Sequence, residues 1–143
     1  MKAKKTLFTV ESHTMGEPLR LVVGGIPTLK GNSIPEKREY FIKNYDYMRK
    51  ALMQEPRGHK DMFGCILTEP TMEEADVGVI FMHGEGFHNM CGHGTIATNT
   101  ILVETGMVPV TEPVTTVKME APAGLVTVHV NVEDGHAKNV SFE

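Results

Sequence analysis

Phe87-His88-Asn89-Met90-Cys91-Gly92-His93-Gly94-Thr95-Ile96-Ala97 reads as a glycine-punctuated turn that runs into the start of a helix, with a thiol and an imidazole held inside the turn. The helix that follows decides the architecture. From Thr95 to Thr105 it carries Ile96, Ala97, Ile101, Leu102 and Val103 spread around the cylinder, and only Asn99 and Glu104 are strongly polar. A helix that is apolar all round is buried, so the strands on either side of it have to wrap it. Gly106 is a natural stop.

Upstream, Gly64 to Thr68 and Ala75 to Met82 are predicted as buried strands, the second containing the apolar run Val77-Gly78-Val79-Ile80-Phe81-Met82. Downstream, Val114 to Ala121 and Leu125 to Glu133 are predicted strands. In the second, Val126, Val128, Val130 and Val132 alternate with Thr127, His129 and Asn131, a period of two. Asp134-Gly135 is a hairpin turn pair, so Ala137 to Phe142 should fold back as a further strand.

At the start of the chain, Leu7 to Glu11 and Leu19 to Val23 are short β-rich runs, and Ser12 to Pro18 between them is expected to be a polar loop. Gly24-Gly25, Pro27, Gly31 and Asn32 form a connection. Ser33-Ile34-Pro35-Glu36 then has the spacing of a capping box and predicts a helix start. Ile34, Phe41, Tyr45, Met48 and Leu52 fall on one face of that helix, and Lys37, Arg38, Lys43, Asp46 and Arg49 are expected on the solvent face; the helix should end before Pro56. Glu55 to Gly64 is a loop. The whole, residues 1–143, is expected to be one α+β domain: a curved, mostly antiparallel sheet around a buried central helix, with one amphipathic outer helix.

Composition bounds the function. A chain of 143 residues can bury roughly 70% of the surface it exposes unfolded, enough for a core. The balance of 14 basic against 18 acidic residues, net −4, with only the short basic start Lys2, Lys4, Lys5, argues against a nucleic-acid partner. No apolar run approaches membrane-spanning or signal-peptide length, and Cys65 and Cys91 are too few for a disulfide framework; a cytoplasmic protein with two thiols is expected.

Cys91 is the candidate chemical group. At a helix N-terminus it sits beside unpaired N–H groups and the positive end of the dipole, which could lower a thiol pKa from about 8.5 to near 7, while burial would oppose this. The same amides could hold a substrate carboxylate, and one set of donors cannot serve both anions in full. Cys65, inside Gly64-Cys65-Ile66-Leu67, reads as a core thiol. His83, His88, Cys91 and His93 match no zinc-ligand spacing, so no metal is expected. A Cys91–His93 nucleophile pair lacks a third group to orient the imidazole. His13 and His59 are the other histidines in loops that could reach a site.

Several motifs in order carry a resemblance to a known family. Met90-Cys91-Gly92-His93-Gly94-Thr95 resembles the first active-site motif of the proline racemase family, which includes 4-hydroxyproline epimerases and trans-3-hydroxyproline dehydratases. Ser12-His13-Thr14-Met15-Gly16-Glu17-Pro18, Val23 to Pro27, Gly31-Asn32-Ser33, Glu55 to Gly64 and Met119 to Gly124 are similar to further family segments. Glu11 stands where Asp is more usual. The resemblance implies a diaminopimelate-epimerase-like half, a curved sheet around a central helix, and cofactor-free inversion at the α-carbon of proline or hydroxyproline by two proton-transfer groups. It implies Cys91 as the base or acid of the first half, the Gly92 and His93 amides, with Gly94 beside them, as the carboxylate clamp, the His93 side chain on the substrate nitrogen, and Phe63 against the substrate ring. The family's second motif, Cys or Thr followed by Gly-x-Gly-Thr, does not occur in these 143 residues. The expected partner is therefore either a C-terminal half or a second copy placing its own Cys91 across the cleft, and a lone chain would be an inactive or carboxylate-binding fragment.

Overall fold

The computed structural model describes residues 4–143, so Lys2 of the basic start lies outside the described residues. In chain order the elements are β1 (Phe8–Thr14), β2 (Glu17–Gly24), α1 (Ile34–Met53), β3 (Phe63–Thr68), β4 (Val77–His83), β5 (Phe87–His88), α2 (Gly92–Glu104), β6 (Val114–Ala121), β7 (Gly124–Glu133) and β8 (His136–Phe142). One sheet runs β1-β2-β3-β4-β6-β7-β8, with β5 added to β4. Only the β2–β3 and β4–β6 neighbours are parallel; the others are antiparallel. The expected architecture, a mostly antiparallel sheet around a buried helix with one helix outside, is what the chain forms.

Side-chain alternation explains how one sheet carries two cores. Leu19, Leu21, Cys65, Val79 and Phe81 point to the face that packs on α2, together with Val117, Met119, Val128 and Val130. Their strand neighbours Val22, Ile66, Ile80 and Met82 point to the other face, against Ile34, Phe41, Met48 and Met53 of α1. The central strands are therefore apolar on both faces, whereas β7 alternates, because only one of its faces is covered. Both end strands, β1 and β8, lie against α2. The sheet can reach α2 from both ends only by curling around it, and this wrapping is why α2 is apolar on nearly every side.

Three expectations about β1, β2 and α1 need correction. The segment 12–18 is not an open loop: β1 and β2 extend through it to a two-residue turn at Met15 (φ 50°) and Gly16 (φ 90°), with Thr14 paired to Glu17. Positive φ at both central residues is the geometry that matches strand twist, and it recurs at Asp134 (φ 51°) and Gly135 (φ 79°). Pro18 is tolerated because β3 pairs with β2 only from Arg20 onward.

The capping box at α1 is also offset. Ser33 Oγ accepts the Glu36 N–H at 3.2 Å, but the Glu36 carboxylate reaches past Ser33 to accept the Asn32 N–H at 2.6 Å.

Finally, Lys37 and Arg49, assigned to the solvent face of α1, are buried. They project sideways onto loop carbonyls. Arg49 donates to both carboxylate oxygens of Asp46 and to the carbonyls of His83 and Gly84. Fixed in this way, Arg49 ties α1 to the β4–β5 turn that leads into the Cys91 segment.

Candidate functional site

The segment before α2 is positioned from both sides. Phe87 and His88 pair with Met82 and Phe81 as the short strand β5, where the glycine-punctuated sequence predicts a turn. Asn89 is held by Arg38 Nη1, which donates to its Oδ1 at 2.8 Å, and its carbonyl accepts the Ala123 N–H at 3.1 Å. Cys91 is then the N-cap of α2, with extended backbone (φ −144°, ψ 111°). Its carbonyl accepts the Thr95 N–H at 2.9 Å and the Thr95 hydroxyl at 2.8 Å. The amides of Gly92, His93 and Gly94 precede this first intrahelical bond and have no partner within the helix. The helix thus begins at Gly92, three residues earlier than the spacing predicts.

Those three amides are not equivalent. Gly94 is buried against the thiol: a Cβ at this position would stand 3.0 Å from Cys91 Sγ and 3.2 Å from a Phe81 ring carbon. Its N–H favours the thiolate, although the Cys91 side chain accepts no capping hydrogen bond. Gly92 is exposed and a Cβ there would meet only Phe142 at 3.8 Å. Burial holds the Cys91 thiol above its ordinary value; the Gly94 N–H pulls the other way and the Glu17 carboxylate adds to the rise. The expected fall toward neutrality is therefore corrected: at 9% exposure, desolvation outweighs the backbone amides.

His93 lies between the thiol and an aromatic cluster. Its Nδ1 is 3.6 Å from Cys91 Sγ, its ring meets Phe63 edge to face at 4.7 Å, and its carbonyl accepts the Thr14 hydroxyl at 3.1 Å. Its Nε2 is buried and has no hydrogen-bond partner. Phe63 stacks on His88 at 5.8 Å, and His88 stacks on His83 at 4.3 Å. Burial, then the neighbouring His83 and His93, push His88 below its ordinary value.

The structure brings Cys91, Gly92, His93, Gly94 and Phe63 together. Thr14 and Glu17 join them through the β1–β2 turn; the run Ser12 to Pro18 flagged this segment without revealing that it folds over the helix start. His13 and His59 use Nδ1 to accept the N–H groups of Gly16 and Asp61 in their own turns. Cys65 is fully buried and its thiol is pushed up to about 12, as fits a core residue. Among the described residues no three His, Cys, Asp or Glu side chains are arranged to hold a metal ion, and no helix is long and apolar enough to cross a membrane.

A family model described as proline racemase matches residues 9–143. The chain is 58% identical over 142 residues to a proline racemase of Clostridioides difficile, covering 99% of this chain and 42% of that one. It is 46% identical over 143 residues to a trans-3-hydroxy-L-proline dehydratase of Bacillus cereus, covering 100% of this chain and 43% of the relative. A solved hydroxyproline epimerase from Agrobacterium vitis, with bound trans-4-hydroxy-L-proline, superposes with a TM-score of 0.91 at 28% identity, over 99% of this chain and 42% of that one. The chain spans less than half the length of the relatives it matches.

Proposed function

We propose, because this chain belongs to the proline racemase family, that it supplies one of two proton-transfer stations for inversion at the α-carbon of proline or hydroxyproline. The observation that supports the reading is the difference between the glycines at the start of α2, Gly94 buried against the sulfur and Gly92 exposed. Gly94 serves the sulfur, which leaves the Gly92 and His93 amides and the helix dipole for a substrate carboxylate. On this reading the two anions draw on different donors. His93 Nε2, a buried polar atom without a partner, is the candidate contact for the substrate nitrogen. The Phe63 ring, fixed between His93 and His88, is the candidate wall for the pyrrolidine ring.

With its affinity for the proton raised, Cys91 rests as a neutral thiol and delivers a proton to one face of Cα. A base on the opposite face removes the one proton that Cα carries, the new C–H bond forms with the proton from Cys91, and the two stations exchange roles in the reverse direction. That base comes either from a C-terminal half or from a second copy of the chain. Proton transfer through side chains alone requires no cofactor, and the two free thiols fit a reducing cytoplasm.

The test is wash-in of solvent deuterium at Cα of L-proline in D2O, over a range of chain concentrations, for wild type and Cys91→Ser. Exchange that requires Cys91 and rises more steeply than linearly with concentration supports pairing of two copies. Saturable proline binding without exchange supports a half-site that needs another segment. Undiminished exchange in Cys91→Ser would overturn the assignment.

A further inference from the structure

A second recess lies at the other end of α2 from Cys91. It is a cavity of about 440 Å³ between the β2–α1 connection, the β3–β4 connection and the last turn of α2, and none of the residues placed around Cys91 lines it. That size falls within the range of small-molecule sites, roughly 300–1,000 Å³. Val23, Leu67, Val77 and Met107 give it apolar walls, and Lys37 is set into one of them.

The state of Lys37 is what makes the recess more than a gap. The residue is 7% exposed, yet its ammonium donates only to neutral oxygens, the Glu69 carbonyl at 2.6 Å and the Thr68 hydroxyl at 3.4 Å. An ammonium has three N–H donors, so one is left over. No carboxylate of the described residues lies within ion-pairing distance of it. Glu120 feels its charge from further off, but the Glu120 oxygens are already taken by the Thr71 N–H and hydroxyl and the Met72 N–H. A buried cation without a close counter-charge is costly, and an anion reaching it through an open cavity recovers part of that cost.

The cavity also has acidic lining residues, Glu69 and Asp76. Both are exposed, and Asp76 already accepts the Lys118 N–H at 2.8 Å. Charges in water attract several-fold less strongly than a desolvated one, so the buried Lys37 decides the sign of the ligand.

We infer that this cavity binds a small carboxylate with an apolar body, the carboxylate on Lys37 and the hydrocarbon against Val23, Leu67 and Val77. The site is independent of the proposed chemistry at Cys91.

The experiment is a titration of the 15N- and methyl-labelled chain with 4-methylpentanoate, 4-methylpentan-1-ol and 4-methylpentan-1-amine, followed by NMR. The expected result is saturable shifts of the Val23, Leu67, Val77 and Met107 methyls with the acid, at an affinity about tenfold or more above that for the alcohol. In Lys37→Met the preference for the acid over the alcohol should vanish. The series on the wild type stands by itself if that variant does not fold. Equal affinity for acid and alcohol, tighter binding of the amine, acid-induced shifts confined to the Gly92 and His93 amides, or no saturable shift would each overturn the inference.

Discussion

Nδ1 of His93 lies 3.6 Å from the sulfur of Cys91, and the two residues are held in that relation from outside the helix as well as within it. The Thr14 hydroxyl fixes the His93 carbonyl, and the Phe63 ring meets the imidazole edge to face. The thiol is thus placed by one turn of helix, one hairpin tip and one aromatic ring, drawn from β1, β3 and α2.

Thiol chemistry should discriminate sharply between the two cysteines. Cys65 is fully buried, with its thiol pushed up to about 12, while Cys91 retains a little exposure. Titration of the native protein with an alkylating reagent should modify one thiol and denaturation should reveal a second. The reaction at Cys91 should accelerate with a midpoint above the ordinary thiol value, because burial disfavours the thiolate. Glu17→Gln removes a negative charge that adds to the rise of the Cys91 thiol and should move that midpoint down. Two thiols reacting equally in the native state would contradict this.

Gly94 should tolerate no side chain. A Cβ there would lie 3.0 Å from Cys91 Sγ and 3.2 Å from Phe81, which is itself buried and cannot retreat. Gly94→Ala should cost about 1–3 kcal/mol in denaturant unfolding despite the better helix propensity of alanine. Gly92→Ala, whose Cβ meets only Phe142 at 3.8 Å, is the control and should be near neutral. A Gly94→Ala protein as stable as Gly92→Ala would rule out the close approach.

Which parts of this were legible in the sequence follows from which physical signals are local. The buried character of α2 was readable because Ile96, Ala97, Ile101, Leu102 and Val103 leave no polar stripe, and β7 because period two is a property of consecutive residues. The Asp134-Gly135 turn was readable for the same reason. The Met15-Gly16 turn was not, since methionine carries no preference for positive φ and only tertiary pairing of Thr14 with Glu17 imposes it. Burial of Lys37 and Arg49 was likewise invisible, because their partners are backbone carbonyls of Glu69, His83 and Gly84, more than thirty residues away. At the site, the motif placed Cys91 beside His93, but the unequal surroundings of Gly92, which is exposed, and Gly94, which is buried against Cys91 and Phe81, depend on β4, outside the motif.

Arg49 offers a test of how α1 supports the site. It is 5% exposed, takes both oxygens of Asp46 and two carbonyls of the β4–β5 turn, and lies 5.6 Å from the Phe87 ring centre. Arg49→Ala removes the Arg49 donor from both carbonyls, leaving Gly84 only its bond from Gln54 Nε2, and strands the Asp46 carboxylate, so it should destabilise by about 2–4 kcal/mol, the lower end reflecting the partial exposure of Asp46. Arg49→Lys should recover only part of this, since one ammonium cannot hold a carboxylate through two parallel bonds and also reach both carbonyls. Denaturant unfolding of the three proteins checks the order.

Cys65 should leave a signature in the dependence of stability on alkaline pH. Its thiol is pushed from 9.0 to about 12 by burial, so between those values the folded protein keeps a proton that the unfolded chain releases. The sign follows directly: stability from this group is complete below the unfolded value and falls as pH rises toward the folded one, by about 1.4 kcal/mol per pH unit. Cys65→Ala should be less stable at neutral pH, since a small cavity replaces the sulfur beside Thr98. It should nevertheless lose stability less steeply above pH ~9, so the gap between the two proteins narrows as pH is raised. Parallel stability curves for wild type and Cys65→Ala through that range would show that the Cys65 proton is not linked to folding.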